Sequence, residues 1–96
     1  MVFGLFGKKE SEEVLVGEVI HYFRKVKAAV VKVKENKVAV GDSIRVKGNT
    51  TDFTEKIKSM QIDHEIVNSA SKGKEVAIQM KKKTRRGDRV FILKEK

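Results

Sequence analysis

Hydrophobic and polar residues alternate along much of this chain, with the period of two that is typical of β-strands. In the segment VAVGDSIRVKG, which spans residues 38–48, Ile44 and Val46 lie two apart and therefore face the same side of a predicted strand. Arg45 and Lys47 face the opposite side. The segment thus predicts a strand with one apolar face and one cationic face.

Five further segments are rich in the β-branched and aromatic residues that strands favour. Polar or glycine-containing turns separate them, and a strand about every ten residues is typical of small sandwiches and barrels. The six predicted strands fall within residues 14–23, 26–33, 38–48, 53–62, 75–80 and 90–93.

Two of these strands are predicted to be irregular. Gly17 has no side chain to pack, so it indicates a bulge or a close approach of two backbones. The apolar positions change parity between Ile57 and Met60, and one register cannot bury both residues. A bulge or corner is therefore expected near Lys58 and Ser59.

A helix is the alternative for the stretch that begins at Phe53. Phe53, Ile57 and Met60 follow one another at nearly helical spacing. Strands are preferred because Ile62 and Ile66 fall outside that stripe, and because no helix stop signal follows promptly.

The dipeptide Gly-Asp occurs twice, at Gly41-Asp42 and at Gly87-Asp88, each time shortly before a strand-like run. Glycine tolerates the positive φ of a tight turn, and Asp can hydrogen-bond the backbone of its own turn. Residues 69–73 predict another turn. Repeated corners in a short chain favour a sheet that bends back on itself.

These elements predict an all-β fold, a single closed six-stranded β-barrel that spans residues 14–96. Closure would remove the exposed edges of so small a sheet. Residues 1–13 are expected to form a flexible N-terminal segment. Its apolar residues are Val2, Phe3, Leu5 and Phe6.

The composition is that of one soluble domain. Of the 96 residues, 36% are charged and 40% are hydrophobic. No apolar run approaches the roughly 20 residues of a membrane-spanning helix, so stable membrane insertion is not expected. Cysteine is absent, which excludes thiolate chemistry and agrees with a reducing cytoplasm, where we expect the protein to reside.

Positive charge is concentrated near the end of the chain. The net charge is +9, and the last sixteen residues hold eight basic and two acidic groups. Clustered cations can neutralise phosphates and release counterions, although a solubilising surface is the alternative. The predicted nucleic-acid contact consists of Lys81, Lys82, Lys83, Arg85, Arg86 and Arg89.

The end of the first predicted hairpin would extend this surface. Arg24 and Lys25 add charge there, and Tyr22 offers an aromatic face to an unpaired base. Phe23 is expected to belong to the core.

A second candidate is a recognition loop that concentrates hydrogen-bond donors and acceptors. It consists of Asn49, Thr50, Thr51 and Asp52. The alternative is a turn in which Thr51 or Asp52 bonds the chain's own amides.

Four segments carry a resemblance to known proteins: VGEV at 16–19, VAVGDSIRVKG at 38–48, IKSMQI at 57–62 and ASKGKEVAI at 70–78. Their order resembles the second domain of translational GTPases such as elongation factor Tu and initiation factor two, and above all the small translation elongation factor-like proteins. It is also similar to the C-terminal barrel of collagenase-like peptidases. The resemblance implies a barrel of the translation-factor domain 2 type, with RNA (tRNA or rRNA) or a translation-related protein as its partner.

Residue patterns typical of enzymes are absent. The phosphate-binding loop GxxxxGK[ST] does not occur, since GLFGK at 4–8 is followed by Lys9. His21 and His64 fall on different predicted strands, which does not favour a metal site, and no nucleophile elbow surrounds Ser43. We therefore expect no catalytic residues, no metal ion and no cofactor.

Taken from the sequence alone, the chain is interpreted as a non-enzymatic, translation-related binding module that contacts RNA through its basic C-terminal loop. The alternative is a protein-docking adaptor that binds a protein partner through the barrel surface and the apolar N-terminus.

Overall fold

The computed structural model describes the backbone of residues 11–95 and the side chains of residues 13–94. Residues 1–10 lie outside this range, and with them the apolar positions of the predicted N-terminal segment. The described residues contain no helix and form ten strands. These are β1 Ser11–Phe23, β2 Ala28–Val33, β3 Val38–Ala39, β4 Ser43–Lys47, β5 Asp52–Lys56, β6 Met60–Ile62, β7 Glu65–Val67, β8 Ser69–Ala70, β9 Glu75–Gln79 and β10 Arg89–Glu95.

Eight strands form one sheet in the order β5-β4-β10-β1-β2-β9-β6-β7, and β3 pairs separately with β8. All the pairings are antiparallel. The first part of β1 pairs with β10 and its second part pairs with β2. Strand β1 therefore joins two halves of the sheet, β5-β4-β10 on one side and β2-β9-β6-β7 on the other.

The all-β prediction is confirmed, but the prediction of a closed six-stranded barrel is wrong. Within residues 11–95 no pairing joins the two outer strands, β5 and β7. The predicted strand 53–62 is two strands: β5 pairs with β4 at one end of the sheet, and β6 pairs with β9 near the other. The sheet stays open because of this division and because the next three strands, β6 to β8, are only two or three residues long.

The interruption between β5 and β6 was expected from the change of parity, and the structure confirms it. Strand β5 ends at Lys56, β6 begins at Met60, and both Ile57 and Met60 are buried. The strand pairings also exclude the helical alternative for this stretch.

Side chains of the two half-sheets enclose one hydrophobic core. Ile44 and Val46 are fully buried, as their spacing predicted, and so are Val76 and Ile78. The complete buried set is Val16, Val19, Ala29, Val31, Val33, Val38, Ile44, Val46, Ile57, Met60, Ala70, Val76, Ile78, Met80, Val90 and Ile92. Eight of these are valine, whose branched Cβ suits a pleated surface.

Gly17 lies at the point where β1 changes partner, and the predicted bulge is confirmed. The register against β10 shifts between Leu15 and Gly17. A Cβ atom on Gly17 would lie 1.8 Å from the carbonyl oxygen of Lys32 on β2. Only glycine allows the two backbones to come this close.

Three turns share one construction. Gly41, Gly73 and Gly87 have φ angles of 98°, 94° and 94°, a region that favours glycine. Their amides donate hydrogen bonds of 2.9, 2.8 and 2.8 Å to carbonyls on distant parts of the chain. Each turn therefore anchors its corner to another segment of the fold.

In two of these turns the aspartate that follows glycine adds a second bond. The carboxylate of Asp42 accepts from the Ala39 amide at 2.9 Å, and that of Asp88 accepts from the Arg85 amide at 2.8 Å. The predicted role of Gly-Asp as a self-bonded corner is confirmed at both positions.

Two short pairings were missed in the sequence. Ser69 and Ala70, predicted to begin a turn, form β8, and Ala70 belongs to the core. Asp63 and His64 both have positive φ and connect β6 to β7 as a two-residue hairpin turn. Asp and His are among the residues that adopt this region more readily than most, but without glycine the signal is weak.

Substituting Gly17 tests the close approach of β1 and β2. We expect Gly17→Ala to lower the free energy of unfolding by about 2–3 kcal/mol, because the methyl group meets backbone that cannot rotate away. The control is Gly73→Ala, where a Cβ atom meets nothing within 4 Å and the cost is positive φ alone, about 1 kcal/mol. Urea titration of the two variants would contradict this account if Gly73→Ala were the more destabilised.

Candidate functional site

The six C-terminal basic residues of the predicted cluster are all exposed, but the structure divides them between different surfaces. Arg85, Arg86 and Arg89 lie along one groove, while Lys81 and Lys82 lie along another depression with Lys58. Lys83 lines neither of these depressions. The cations of the predicted cluster therefore line two depressions rather than one.

The first group lines a groove of 580 Å³, which we call the cationic groove. Its lining consists of Lys47, Gly48, Asn49, Arg85, Arg86, Gly87, Asp88, Arg89 and Phe91. One wall is the end of β4 with the turn that follows it, and the other is the turn before β10 with the start of that strand. Neither wall alone would make a concave site.

Asp88 joins these two walls. Its side chain is only 4% exposed, and its carboxylate accepts a hydrogen bond from the Arg85 amide. A Cβ atom on Gly48 would lie 1.9 Å from Asp88 Oδ1. The glycine therefore makes room for the carboxylate, and the charge of Asp88 is directed into the protein.

Strand register explains the positive charge of the cationic groove. Arg89 and Lys47 are direct cross-strand partners on β10 and β4. Glu18 is opposite Arg89 on the other side, and Asp52 is opposite Lys47. Each carboxylate accepts hydrogen bonds from a cation other than Arg89 or Lys47: Lys34 donates to Glu18 at 3.0 Å, and Arg45 donates to Asp52 at 3.0 and 3.1 Å.

The predicted recognition loop falls into an accessible half and a structural half. Asn49 lines the cationic groove and Thr50 is exposed, so both are accessible. Thr51 is 7% exposed, and its carbonyl accepts from the Gly48 amide at 2.7 Å. Asp52 begins β5 and is paired with Arg45. The second half of the loop therefore has a structural role.

Arg45 connects three strands on the outer face of the sheet. Besides Asp52 on β5, it bonds Glu13 on β1. The hydrogen bond from the Arg45 guanidinium, reinforced by its charge, holds the pKa of Asp52 below the ordinary value. The same partners raise the pKa of Arg45, with Asp52 contributing most.

The second group of cations surrounds Glu55. Both carboxylate oxygens of Glu55 lie 2.9 Å from the Lys81 amide, which donates to them. The side chain of Lys81 also lies close to Lys58: its ammonium can donate to the neutral amine of Lys58 but not to the ammonium form, and this, together with its positive charge, lowers the pKa of Lys58. This depression is lined further by Phe53, Thr54, Lys56 and Lys82.

Arg24 and Lys25 lie in the turn between β1 and β2, next to an apolar groove of 440 Å³. We call it the hairpin groove. Its lining consists of Phe23, Val26, Ala28, Ser59, Met60, Gln61, His64, Ala77 and Gln79. Phe23 is 49% exposed and Val26 is 62% exposed.

The prediction that Phe23 belongs to the core is wrong, and a second bulge explains why. The register of β1 against β2 shifts between Val19 and His21. The bulge reverses the inside-outside alternation that the buried Val19 begins. Tyr22 consequently packs against the core, and Phe23 points out and meets the ring of His21 at 4.3 Å between centroids.

Sequence reasoning missed both Lys47 as a groove residue and the hairpin groove as a whole. The signal for Lys47 was present, because its alternation with Ile44 and Val46 placed it on the outer face. The hairpin groove brings the β1–β2 hairpin together with β6 and β9, which are distant from it in sequence, and no local pattern predicts it.

Other candidates for chemistry are occupied or dispersed. Ser59 Oγ lies 3.3 Å from the side-chain oxygen of Gln79, to which it donates. Within the described part of the chain, no three His, Cys, Asp or Glu side chains are placed to hold a metal ion. A search of the same residues found no helix suited to crossing a membrane.

Comparisons with known proteins lead to peptidases. No protein-family model matches the chain. It is 38% identical over 81 residues to an uncharacterized protease of Methanocaldococcus jannaschii, and 27% identical over 81 residues to a collagenase of Porphyromonas gingivalis. Each alignment covers 83% of this chain but 20% of the relative. The chain thus spans about a fifth of the length of these relatives.

Solved structures share the fold. Two crystal structures show the C-terminal domain of a Geobacillus thermoleovorans protein described as a U32 peptidase. The selenomethionine variant matches with a TM-score of 0.75 at 19% identity, covering 80% of this chain and 96% of the domain. The other matches with a TM-score of 0.70 at 18% identity, covering 88% and 92%.

The similarity to C-terminal domains of collagenase-like peptidases is confirmed, but the expectation of a translation-related, RNA-binding module is wrong. The relatives and the structural neighbours are peptidase sequences and a peptidase domain. The pattern that carried the resemblance consists of strands and glycine turns. Such a pattern specifies backbone conformation and leaves the ligand unspecified.

The pairing of Asp52 with Arg45 predicts a pH-dependent contribution to stability. A carboxylate with a lowered folded-state pKa stabilises the fold above its unfolded pKa, near 3.8, and the contribution disappears as pH falls through the folded value. Asp52→Asn should lower the urea midpoint at neutral pH and not at strongly acidic pH. Asp63→Asn, in the exposed β6–β7 turn, is the control. A difference between wild type and Asp52→Asn that does not vary with pH would contradict the pairing.

The lowered pKa of Lys58 predicts selective acylation, because the free amine is the nucleophile. With limiting acetic anhydride at mildly alkaline pH, mass spectrometry should find Lys58 modified faster than the neighbouring exposed Lys56. Lys81→Met should remove the preference. Equal rates at the two positions in the wild type, or a preference that survives Lys81→Met, would show that Lys81 does not act on Lys58.

Proposed function

We propose that this chain is a non-catalytic protein-binding module that docks onto the catalytic part of a U32-type peptidase. The observation that carries the proposal is the hairpin groove, an apolar concavity on the outer face of a domain whose structural neighbours are peptidase C-terminal domains. In this assignment the module positions or stabilises its partner and performs no hydrolysis itself.

The groove has the composition of a contact surface. Phe23 and Val26 are large apolar residues that face solvent, and the half-buried Ala28 and Ala77 extend the apolar surface across neighbouring strands. Exposed apolar patches rimmed by polar groups are typical of protein interaction sites. Ser59, Gln61, His64 and Gln79 supply such a polar rim.

Aromatic and aliphatic anchors of this kind dominate binding energy at interfaces. Phe23 is held firmly for this role, because β1 is paired on both sides of the second bulge and the His21 ring packs against it. The anchor therefore needs little ordering when it binds, which favours affinity.

The length of the relatives supports an accessory role. The matching segment makes up about a fifth of the protease and of the collagenase, so most of each relative lies outside it. An apolar face on such a segment is what contact with a neighbouring domain requires, since interfaces between domains bury roughly 600–1,500 Å².

The docking proposal is tested by isothermal titration calorimetry with the full chain. The partner is the Methanocaldococcus jannaschii relative lacking its own matching segment, with folding checked by circular dichroism. We expect binding, and we expect the double variant Phe23→Ser/Val26→Ser to weaken it at least about tenfold.

The matched control is Val40→Ser, which changes an apolar residue of 40% exposure that does not line the hairpin groove. It should bind as the wild type does. Absence of binding by the wild type, or equal losses in the control and in the double variant, would contradict docking through this groove. Peptidase activity of the isolated chain on gelatin would contradict the non-catalytic assignment.

A further inference from the structure

The cationic groove lies on the other half of the sheet from the hairpin groove and plays no part in the proposed docking. We infer that it binds an acidic segment of a polypeptide, with Arg85, Arg86, Arg89 and Lys47 pairing with carboxylates. The choice of a polypeptide over other polyanions rests on the proposed function, which associates the module with a peptidase.

A like-charged pair lies among the residues that line the groove. Arg89 and Lys47 lie directly opposite each other on β10 and β4. Like charges in this position destabilise a sheet. Their acidic neighbours in the same row, Glu18 and Asp52, bond Lys34 and Arg45 instead. The positive charge of Arg89 and Lys47 is therefore only partly balanced by Glu18 and Asp52 in the same row, and a bound anion would complement it.

Guanidinium groups are concentrated along the same groove. Arg85 and Arg86 belong to the turn that Asp88 closes, and Arg89 follows on the next strand. None of these three is ion-paired to a carboxylate within residues 13–94. Guanidinium groups match the planar geometry of a carboxylate through two parallel hydrogen bonds.

The other residues that line the groove also suit an acidic peptide. Among the described residues that line the groove, only Asp88 is acidic; it is buried, and its carboxylate accepts from the Arg85 amide. Asn49 adds an amide group, and the half-buried Phe91 adds an apolar contact. A groove that combines cations, an amide and an aromatic ring fits a peptide whose acidic residues are separated by small ones.

The test is fluorescence anisotropy of the full chain with a labelled alternating Glu-Gly peptide at low and high salt. The Gln-Gly peptide of equal length and a single-stranded oligothymidylate of equal charge are run beside it. We expect salt-sensitive binding of the Glu-Gly peptide, and an affinity about tenfold lower in Arg85→Gln/Arg86→Gln/Arg89→Gln.

The control variant has the same net charge and a different location. Lys37→Gln/Lys72→Gln/Lys74→Gln removes three exposed cations that do not line the cationic groove. It should lose less than about twofold in affinity. Equal losses in the two triple variants would overturn the assignment, because they would show binding by net charge alone.

A stability readout separates a binding role from a structural one. Arg89→Gln removes the like-charged neighbour of Lys47, so its urea midpoint should equal or exceed that of the wild type while peptide binding weakens. A lowered midpoint would show that Arg89 serves the fold and would overturn the inference. Tighter binding of oligothymidylate than of the Glu-Gly peptide, or no binding of the peptide at low salt, would overturn it as well.

The two proposals fail separately. Loss of peptide binding with normal docking onto the peptidase partner would remove only the acidic-peptide site. Loss of docking with intact peptide binding would remove only the proposed function, because Phe23 and Val26 do not line the cationic groove.

Discussion

The contact between Gly17 on β1 and the Lys32 carbonyl on β2 is the constraint on which the arrangement of this protein depends. At Gly17 and Glu18, β1 is paired with β10 on one side and with β2 on the other; before them it pairs with β10, and beyond them with β2. The Val16 carbonyl accepts from the amides of Lys34 and Glu35 at 2.7 and 3.0 Å, so the chain after β2 is also fastened there. A side chain at position 17 would push the β1 and β2 backbones apart and so strain the junction of the two half-sheets.

Because β1 joins the two half-sheets, it also separates two outer surfaces with different chemistry. The half that contains β4 and β10 presents Arg45, Lys47 and Arg89, whereas the other half presents Phe23, Ala28 and Ala77. Both surfaces consist of the outward-facing positions of the strands, because valine and isoleucine fill the inward-facing positions that alternate with them. A change on either outer face should therefore leave the core largely unaffected, and this is why binding and stability can be measured separately in this domain.

Much of the fold followed from the sequence because it is encoded locally. Alternation in residues 43–47 and 75–79 placed Ile44, Val46, Val76 and Ile78 in the core, and the two Gly-Asp dipeptides form the corners expected of them. Closure of the sheet could not be predicted, because it depends on which strands β5 and β6 pair with after the chain breaks. The prediction that Phe23 belongs to the core was wrong for a related reason. A bulge at Ile20 reverses the alternation of inward and outward side chains, and nothing in the residue types around it indicates a bulge.

The candidate sites could be predicted only where residues that are neighbours in the sequence form them. The basic residues of the C-terminal loop were visible as a run of charge, but their division between two surfaces depends on the register of β9 and β10 with other strands. Lys47 joins the arginines only because β4 pairs with β10. The carboxylates opposite Arg89 and Lys47, those of Glu18 and Asp52, are bonded by Lys34 and Arg45, which come from two other parts of the chain. Charge composition can therefore indicate a positively charged surface, whereas the pairing of strands decides where that surface lies and which cations form it.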